Sequence, residues 1–253
     1  MMMTKVIDEL VSLSQRLGDP AKQYIILGEG NTSAKADDES FFVKASGMEL
    51  ATIGPDGFCQ VYFKPVHDIL MGGELTDDQI KQALGEAMVH GSLLRPSVET
   101  VLHAQLLNMP DVTYIAHTHP QSVLQLLCAK DVLDIIAGRI FPDEIVCCGI
   151  APIFVPYTDP GLPLAKAVHE ATHEYVDTYG ERPKSVLMQN HGLIALGDSP
   201  KQCEAITAMW VKVAHVLRGT MALGGPNFLT PENVARIHTR PDEEYRRKII
   251  GGR

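Results

Sequence analysis

The sequence predicts an α/β protein in which helices pack on a mixed or mainly antiparallel sheet. The chain has 253 residues, and 45% of them are hydrophobic, which is enough to bury a sizeable core. Strand-like segments come in clusters between helices instead of alternating with them, which argues against a doubly wound parallel sheet. No repeat, low-complexity linker or break in composition divides residues 1–253, so we expect one domain.

Helices are predicted where apolar residues recur at helical spacing between capping residues. Thr76-Asp77-Asp78-Gln79 has the pattern of a capping box, and Ser97 is expected to cap the next helix. The polar, charged tail over residues 231–253 predicts a short helix with a loose end. The predicted helices before this tail cover residues 4–18, 76–90, 97–107, 121–129, 162–179 and 201–223.

Strands are predicted from short apolar segments rich in β-branched residues. They cover residues 41–44, 112–117, 144–148, 152–155, 185–188 and 193–196. Residues 28–33, GEGNTS, are expected to form a Gly-rich turn before the first of these strands. Within the segment 144–148, Cys147 and Cys148 are expected to fill the core, since unpaired cysteines are often buried.

The net charge and the cysteine content narrow the possible function classes. The formal net charge is −9 at pH 7, which disfavours a surface for nucleic acid or for an anionic membrane. The five cysteines are odd in number and form no CxxC pair, as expected for reduced thiols. No signal-like stretch opens the sequence, and no apolar run approaches the roughly 18 residues of a membrane span. We therefore expect a cytoplasmic protein.

The motif His117-Thr118-His119 ends a predicted strand and places two imidazoles two residues apart. Side chains at positions i and i+2 of a strand lie on the same face, so both rings can converge on one ion. His191, between Asn190 and Gly192 at the junction of two predicted strands, is either a further ligand or a turn histidine. The glycine beside it leaves room for a ligand to approach the backbone.

Glu99 stands near the start of the helix predicted over residues 97–107, where the helix dipole favours an acid whether or not it does chemistry. His103 lies one turn further on and could share a metal with Glu99. No HExxH motif is present, so a metalloprotease has no support. Asp143 and Glu144 are the second candidates for a catalytic acid, acting from a neighbouring subunit.

Two small polar turns could bind an anion through their backbone N–H groups. The first, over residues 28–33, contains Asn31 but lacks the third glycine of GxGxxG and the spacing of a Walker A loop. The second is Ser46-Gly47, directly after the strand over residues 41–44. Each of them, taken alone, is also compatible with a plain turn.

In their order along the chain, the segments GEGNTSAK, VKASG, RPSVETVLH, YIAHTHP and QNHGLIALG resemble the class II aldolase/adducin family. They span residues 28–197, which is most of the chain. The stretch FPDEIVCCGIAPIFVPYTDPGLPLA is also similar to this family. It is closest to the aldolase domains fused to short-chain dehydrogenases in rhamnulose-phosphate aldolase-like proteins. No dehydrogenase domain follows here, so we expect a free-standing version.

The resemblance implies an α/β/α sandwich around a central, mainly antiparallel sheet, assembled as a C4 homotetramer. It implies that His117, His119 and His191 bind Zn²⁺, with Mn²⁺ or Co²⁺ as alternatives. Glu99 matches the acid that can ligate the metal and act as catalytic acid/base. Val98 departs from the fuculose-phosphate-type pattern, which has a second serine there and so one more phosphate donor. The positions that match the family's phosphate-binding residues are Asn31, Ser46, Gly47 and Ser97.

The reaction that the resemblance implies is retro-aldol cleavage of a ketose 1-phosphate to dihydroxyacetone phosphate and an aldehyde. The metal would stabilise the enediolate, and Glu99 would move a proton on and off the nucleophilic carbon. Alternatives on the same fold are a decarboxylase of a keto acid or its phosphate and a sugar-phosphate 4-epimerase, which typically has Asp at the position of Glu99. An adducin-like interaction domain is expected to lack the full metal triad, so the intact triad argues against it.

Overall fold

The computed structural model describes residues 2–89 and 94–251. The strands within these ranges form one sheet, in which all neighbours run antiparallel except β5 and β6, which are parallel. They are β1 (Asn31–Lys35), β2 (Ser40–Lys44), β3 (Phe58–Tyr62), β4 (Tyr114–Thr118), β5 (Ile153–Val155), β6 (Ser185–Met188) and β7 (Gly192–Gly197). Their spatial order is β3-β2-β1-β4-β7-β6-β5. The predicted α/β class with a mainly antiparallel central sheet is therefore confirmed.

Helices cover both faces of this sheet. The α-helices of the described ranges are α1 (Met2–Leu17), α2 (Phe63–Met71), α3 (Asp77–Glu86), α4 (Thr100–Leu107), α5 (Gln121–Leu127), α6 (Val132–Ile135), α7 (Pro142–Cys148), α8 (Leu162–Tyr179), α9 (Pro200–Met221), α10 (Pro231–Thr239) and α11 (Pro241–Gly251). None of the described helices has both the length and the apolar composition needed to cross a membrane.

The sheet lies between two hydrophobic cores because successive residues of a strand point to opposite faces. On β4, Ile115 packs into one core while Tyr114 and Ala116 pack into the other. The first core includes side chains of α2, α3, α4 and α8, and the second includes side chains of α1, α5, α7 and α9. The result is the α/β/α arrangement that the family resemblance implied.

The register of the central strands brings together residues that are far apart in the sequence. Asn31 of β1 pairs with His117 of β4, and His117 pairs in turn with Ile194 of β7. Because Thr118 pairs with Leu193, the turn that precedes β7 lies beside the end of β4. Two distant segments of chain therefore meet at one end of the sheet.

The segment over residues 144–148 is the clearest wrong prediction, because it forms helix α7 instead of a strand. Pro142 occupies the first turn of this helix, and Gly149, with a φ of 81°, follows its end. A short apolar run fits a buried helix as well as a strand, and the flanking proline and glycine favour the helix. Cys147 and Cys148 are nevertheless buried, as predicted.

Several predicted boundaries are also corrected. Residues 31–33 belong to β1 and not to the Gly-rich turn. Helix α4 begins at Thr100, so Glu99 and not Ser97 is its cap residue, and the Ser97 hydroxyl accepts a hydrogen bond from the Glu99 backbone N–H at 3.3 Å. The tail forms two helices, α10 and α11, where one was expected. The prediction missed β3 and α2, which follow each other with no turn residue between them.

The capping box at the start of α3 is confirmed. Thr76 accepts a hydrogen bond from the Gln79 backbone N–H, and the Gln79 side chain accepts one from the Thr76 backbone N–H. This helix ends at Glu86, earlier than predicted. Residue 90, the last of the predicted helix, and residues 252–253 of the tail lie outside the described residues.

Candidate metal centre and active site

Two of the candidate ligands, His117 and His119, lie at the end of β4 and just beyond it. Their alternation along the strand places both rings on the same side, and their Nε2 atoms are 3.0 Å apart. The backbone N–H of His119 donates to the carbonyl of Tyr24 at 2.9 Å, which holds this residue in place after the strand has ended. The prediction that both imidazoles face one point is confirmed.

His191 reaches the same point from the turn between β6 and β7. Asn190 adopts a left-handed conformation with a φ of 53°, and its backbone N–H donates to Leu127 at 3.2 Å. A Cβ at Gly192 would lie 2.6 Å from Cδ2 of His119 and 2.7 Å from the Thr118 carbonyl oxygen. The glycine is therefore required because the ring of His119 occupies the space beside it.

The three imidazoles form a compact triad that could bind a metal ion. One ring nitrogen of each residue lies within 4.8 Å of the others, and the ring centroids are 4.7–5.3 Å apart. Burial lowers the pKa of His117 to about 4, although Glu99 opposes this shift. Burial, reinforced by the charges of His117 and His191, lowers the pKa of His119 to about 3. Both rings are therefore held neutral near pH 7, which is the form that ligates metals.

One further contact supports the fit of this triad to a divalent cation. Nδ1 of His117 lies 3.1 Å from the carbonyl oxygen of Leu193, which can only accept, so Nδ1 carries the proton. The Nε2 lone pair of His117 is then directed at the other two rings. Nδ1 of His191 is buried and has no hydrogen-bond partner among the described residues. A ligating histidine usually has its second ring nitrogen bound to a carbonyl or carboxylate, as His117 does.

Glu99 projects its carboxylate into the same place from the start of α4. Its Oε1 is 3.2 Å from Nε2 of His191, and its Oε2 is 3.7 Å from Nε2 of His117. The side-chain amide of Asn31 donates to Oε2 at 2.5 Å. Burial opposes ionisation of Glu99, but the charges of His117 and His191 and the hydrogen bonds from His191 and Asn31 outweigh it. The pKa of this carboxyl is held well below its ordinary value.

His103 does not join the metal triad, so the hypothesis that it shares a metal with Glu99 has no support in the structure. Its Nδ1 is 2.6 Å from the Ser33 hydroxyl, and its Nε2 contacts Oδ1 of Asn31. The ring is fully buried, and burial lowers the pKa of His103 to about 4 even though Glu99 favours its charged form. Both ring nitrogens are already used.

Of the residues predicted to bind an anion, Asn31 begins β1, and the others lie on two segments that the structure links. Ala45 forms a β-bridge with Pro96, and the backbone N–H of Ser46 donates to the carbonyl of Arg95 at 2.9 Å. Ser46 and Gly47 are exposed, and Gly47 has a φ of 80° with open space on its side-chain side. These contacts connect the Ser46-Gly47 turn to the segment that carries Ser97 and Glu99.

Lys44 is a site residue that the sequence prediction missed. It ends β2, is only 3% exposed, and donates through Nζ to the carbonyls of Gly28 at 2.9 Å and Met48 at 2.6 Å. Burial lowers the pKa of Lys44, while the charge of Glu99 opposes that shift. The available signal was a lysine at the end of an apolar strand, directly before a small polar turn. This cation holds the two predicted anion turns against each other.

The second candidate acids, Asp143 and Glu144, are both engaged within this chain. Glu144 is buried and accepts hydrogen bonds from Arg139 at 2.8 Å and from the backbone of Ile140 at 2.9 Å. Asp143 forms an ion pair with Arg246 at 2.8 Å. Their contacts stabilise α7 and its junction with the tail.

The fold and the site together are distinctive. Three histidines and a buried glutamate converge at one end of a mainly antiparallel sheet. Residues 8–217 match the family model for the class II aldolase and adducin N-terminal domain. The chain belongs to this family, as the resemblance predicted.

Individual relatives agree with this assignment. The Bacillus subtilis (strain 168) protein called uncharacterized oxidoreductase YuxG is 28% identical over 219 residues, covering 83% of this chain and 29% of that protein. The chain thus spans less than a third of the length of this curated relative. The N-terminal class II aldolase domain of a conserved protein from Thermoplasma acidophilum superposes with a TM-score of 0.65 at 27% identity, covering 83% of this chain and 92% of that one.

A structure named L-fuculose 1-phosphate aldolase superposes with a TM-score of 0.70, covering 96% of this chain and 97% of that one. At 16% identity, this likeness concerns the fold alone.

Proposed function

We propose that this chain is a metal-dependent lyase that cleaves a ketose 1-phosphate to dihydroxyacetone phosphate and an aldehyde. The observation that carries the proposal is the meeting of Glu99 with the histidine triad, at 3.2 Å from His191. A metal site, an acid/base group and a set of anion donors are the three components that this reaction needs. Family membership over residues 8–217 supports the same chemistry.

The metal ligands in this proposal are His117, His119 and His191. Three imidazoles suit Zn²⁺ in a catalytic site, and Mn²⁺ or Co²⁺ accept the same ligands. A divalent cation held there would act as a Lewis acid toward the substrate carbonyl and supply the electron sink for carbon–carbon cleavage. The neutral state of the rings is maintained by the burial of His117 and His119.

Glu99 is the proposed acid/base group. Its depressed pKa keeps it ionised before substrate binds, so it can accept the proton that the C4 hydroxyl of the substrate loses as the C3–C4 bond breaks. It would return that proton to the nucleophilic carbon of the dihydroxyacetone phosphate product. The hydrogen bond from Asn31 restricts the carboxylate, and only 8% of the residue is exposed, so few water molecules compete for it.

The proposed phosphate pocket combines backbone and side-chain donors of the linked turns with one buried cation. Lys44 adds a positive charge between these turns, in a chain whose net charge of −9 does not otherwise attract phosphate. Gly47 leaves open space next to its backbone N–H. The pocket residues are Asn31, Ser46, Gly47 and Ser97.

The test is an activity screen of the purified protein loaded separately with Zn²⁺, Mn²⁺ and Co²⁺. Ketose 1-phosphates and phosphorylated keto acids are offered, and the products are identified by mass spectrometry. Release of an aldehyde with dihydroxyacetone phosphate supports the proposal. Release of CO₂ identifies a decarboxylase, inversion at carbon 4 identifies an epimerase, and a protein that neither binds metal nor turns over is an interaction domain. Light scattering of the same sample tests the homotetramer that the family resemblance implies.

A further inference from the structure

A buried chain of hydrogen bonds leads from Ser33 through His103 and Asn31 to Glu99. The Ser33 hydroxyl is 2.6 Å from Nδ1 of His103, and Nε2 of His103 contacts Oδ1 of Asn31. Nδ2 of Asn31 donates to Oε2 of Glu99 at 2.5 Å. Ser33 and His103 are completely buried, and Asn31 and Glu99 are less than a tenth exposed. Water therefore does not compete along this path.

The direction of every hydrogen bond in this chain follows from its last member. The ionised carboxylate of Glu99 can only accept, so Asn31 must direct its NH₂ group there and its carbonyl oxygen toward His103. That oxygen also can only accept, so Nε2 of His103 carries the proton. In the neutral ring Nδ1 is then an acceptor, and the Ser33 hydroxyl donates to it.

We propose that His103 is a positioning residue, which orients the Asn31 amide so that one carboxylate oxygen of Glu99 stays fixed. The proposal rests on the proposed function, in which that carboxylate transfers the proton. Without His103, only Glu99 would orient the Asn31 amide, and the buried carbonyl oxygen of Asn31 would lose its donor. The amide would then be free to rotate in search of another donor, and its hydrogen bond to Glu99 would weaken.

The placement of the four residues on rigid elements supports this role. Ser33 and Asn31 lie on one strand, β1, with alternate side chains on the same face. His103 lies one turn along α4 from Glu99, so its ring and the carboxylate project from the same side of one helix. A strand and a helix thus hold the amide of Asn31 between the ring of His103 and the carboxylate.

The test uses three substitutions of His103, which differ in which of its two hydrogen bonds they keep. Gln places an amide nitrogen near the position of Nε2 and keeps the donor toward Asn31. Asn places its oxygen near the position of Nδ1 and keeps only the acceptor for Ser33, while Leu keeps neither. We expect His103→Asn and His103→Leu to lose about 10- to 100-fold in kcat, as removal of an orienting partner typically does. Bound metal should stay nearly constant, KM should rise less than kcat falls because Asn31 also lines the proposed phosphate pocket, and His103→Gln should recover most of the lost kcat. Equal kcat in the Gln and Asn variants would overturn the proposal.

Two measurements test the positioning role of His103 without depending on catalytic activity. Long-range ¹H–¹⁵N spectra of histidine-labelled protein should show the His103 signal, identified by its loss in His103→Gln, as the Nε2–H tautomer. The side-chain amide protons of Asn31 should exchange slowly in the wild type and in His103→Gln, and faster in His103→Asn. An Nδ1–H tautomer, or equal exchange in all three proteins, overturns the proposal. If the wild type cleaves none of the substrates offered, the proposed function is wrong. These two measurements still test the positioning role in that case.

Discussion

The candidate site has two halves, which differ in how firmly the fold holds them. The triad half contains the three histidines, and the anion half contains the residues proposed to bind phosphate. The triad half is built on the central strands and their connecting turn, with His117 only 1% exposed and Gly192 in contact with the ring of His119. The anion half is built on turns, where Ser46 and Gly47 are exposed and open space lies beside Gly47. The central strands thus hold the candidate metal ligands rigidly, and the turns leave freedom in the part that would recognise a substrate.

Glu99 connects the two halves of the site through its contacts. It contacts the triad through His191 and lies two residues after Ser97, on the segment that is linked to the Ser46-Gly47 turn. We infer that a rigid half sets the reaction type while an adaptable half sets the substrate. Substitutions in the first half should therefore abolish chemistry, and those in the second should change KM.

The largest effect is expected for His119→Ala. The variant removes one of three imidazoles, so the ion and the activity should both be lost. Metal content by mass spectrometry and turnover of the loaded protein measure this. His173→Ala, which changes an exposed histidine on α8, is the matched control and should leave both values unchanged. Full metal occupancy in His119→Ala would contradict the triad.

The second largest effect is expected for Glu99→Gln. The variant should retain the metal, and its kcat should fall by about 10²–10⁴-fold, the usual contribution of a general acid/base group. The substitution keeps the size of the side chain and removes its ability to take up a proton. Steady-state kinetics and metal analysis on the same sample separate the two effects. Unchanged turnover would transfer the role to another acid, for which Asp143 and Glu144 of a neighbouring subunit would have to leave their arginine partners.

Gly192→Ala tests whether backbone packing holds the triad. Its Cβ would lie 2.6 Å from Cδ2 of His119, so the ring must move away from the other ligands. We expect metal affinity to fall by about 10- to 100-fold, as for other losses of ligand orientation. Gly219→Ala is the control, because its Cβ meets no atom within 4 Å and alanine favours helix α9. Equal metal affinity in the two variants would show that the triad tolerates displacement.

The contrast between features set by local spacing and features set by distant contacts explains what the sequence could predict. Strand alternation alone placed His117 and His119 on one side, because their spacing determines their direction. His191 needed the pairing of β4 with β7, which no local pattern reveals, and only the family resemblance placed it. Lys44 was missed because its partners are backbone carbonyls of two turns, and such contacts leave no pattern in residue types. The segment 144–148 was misassigned because a short apolar run has no distinguishing period.

The stability of the metal-free protein should fall as the pH is lowered from about 6.5 to about 4. His103 and His117 have their pKa lowered to about 4 in the folded chain, so in this window the unfolded chain binds more protons. Each contributes a slope of up to about 1.4 kcal/mol per pH unit, and its stabilisation is complete only above the unfolded pKa. Urea unfolding at several pH values measures the slope, which should be shallower in His103→Gln. A pH-independent free energy of unfolding would contradict the neutral buried state.

The smallest effect is expected in the adaptable half, for Ser46→Ala. Ser46 is exposed, so the fold should be unaffected, and only one donor to the anion is removed. A hydrogen bond to a charged group is worth about 1.5–3 kcal/mol, so KM for a phosphorylated substrate should rise by about 10-fold or more while kcat changes little. Inorganic phosphate should compete with that substrate, and less effectively in the variant. If phosphate does not compete and Ser46→Ala leaves KM unchanged, the turns bind another group, such as the carboxylate of a keto acid. The rigid half would then carry the same enolate chemistry with CO₂ as the leaving group.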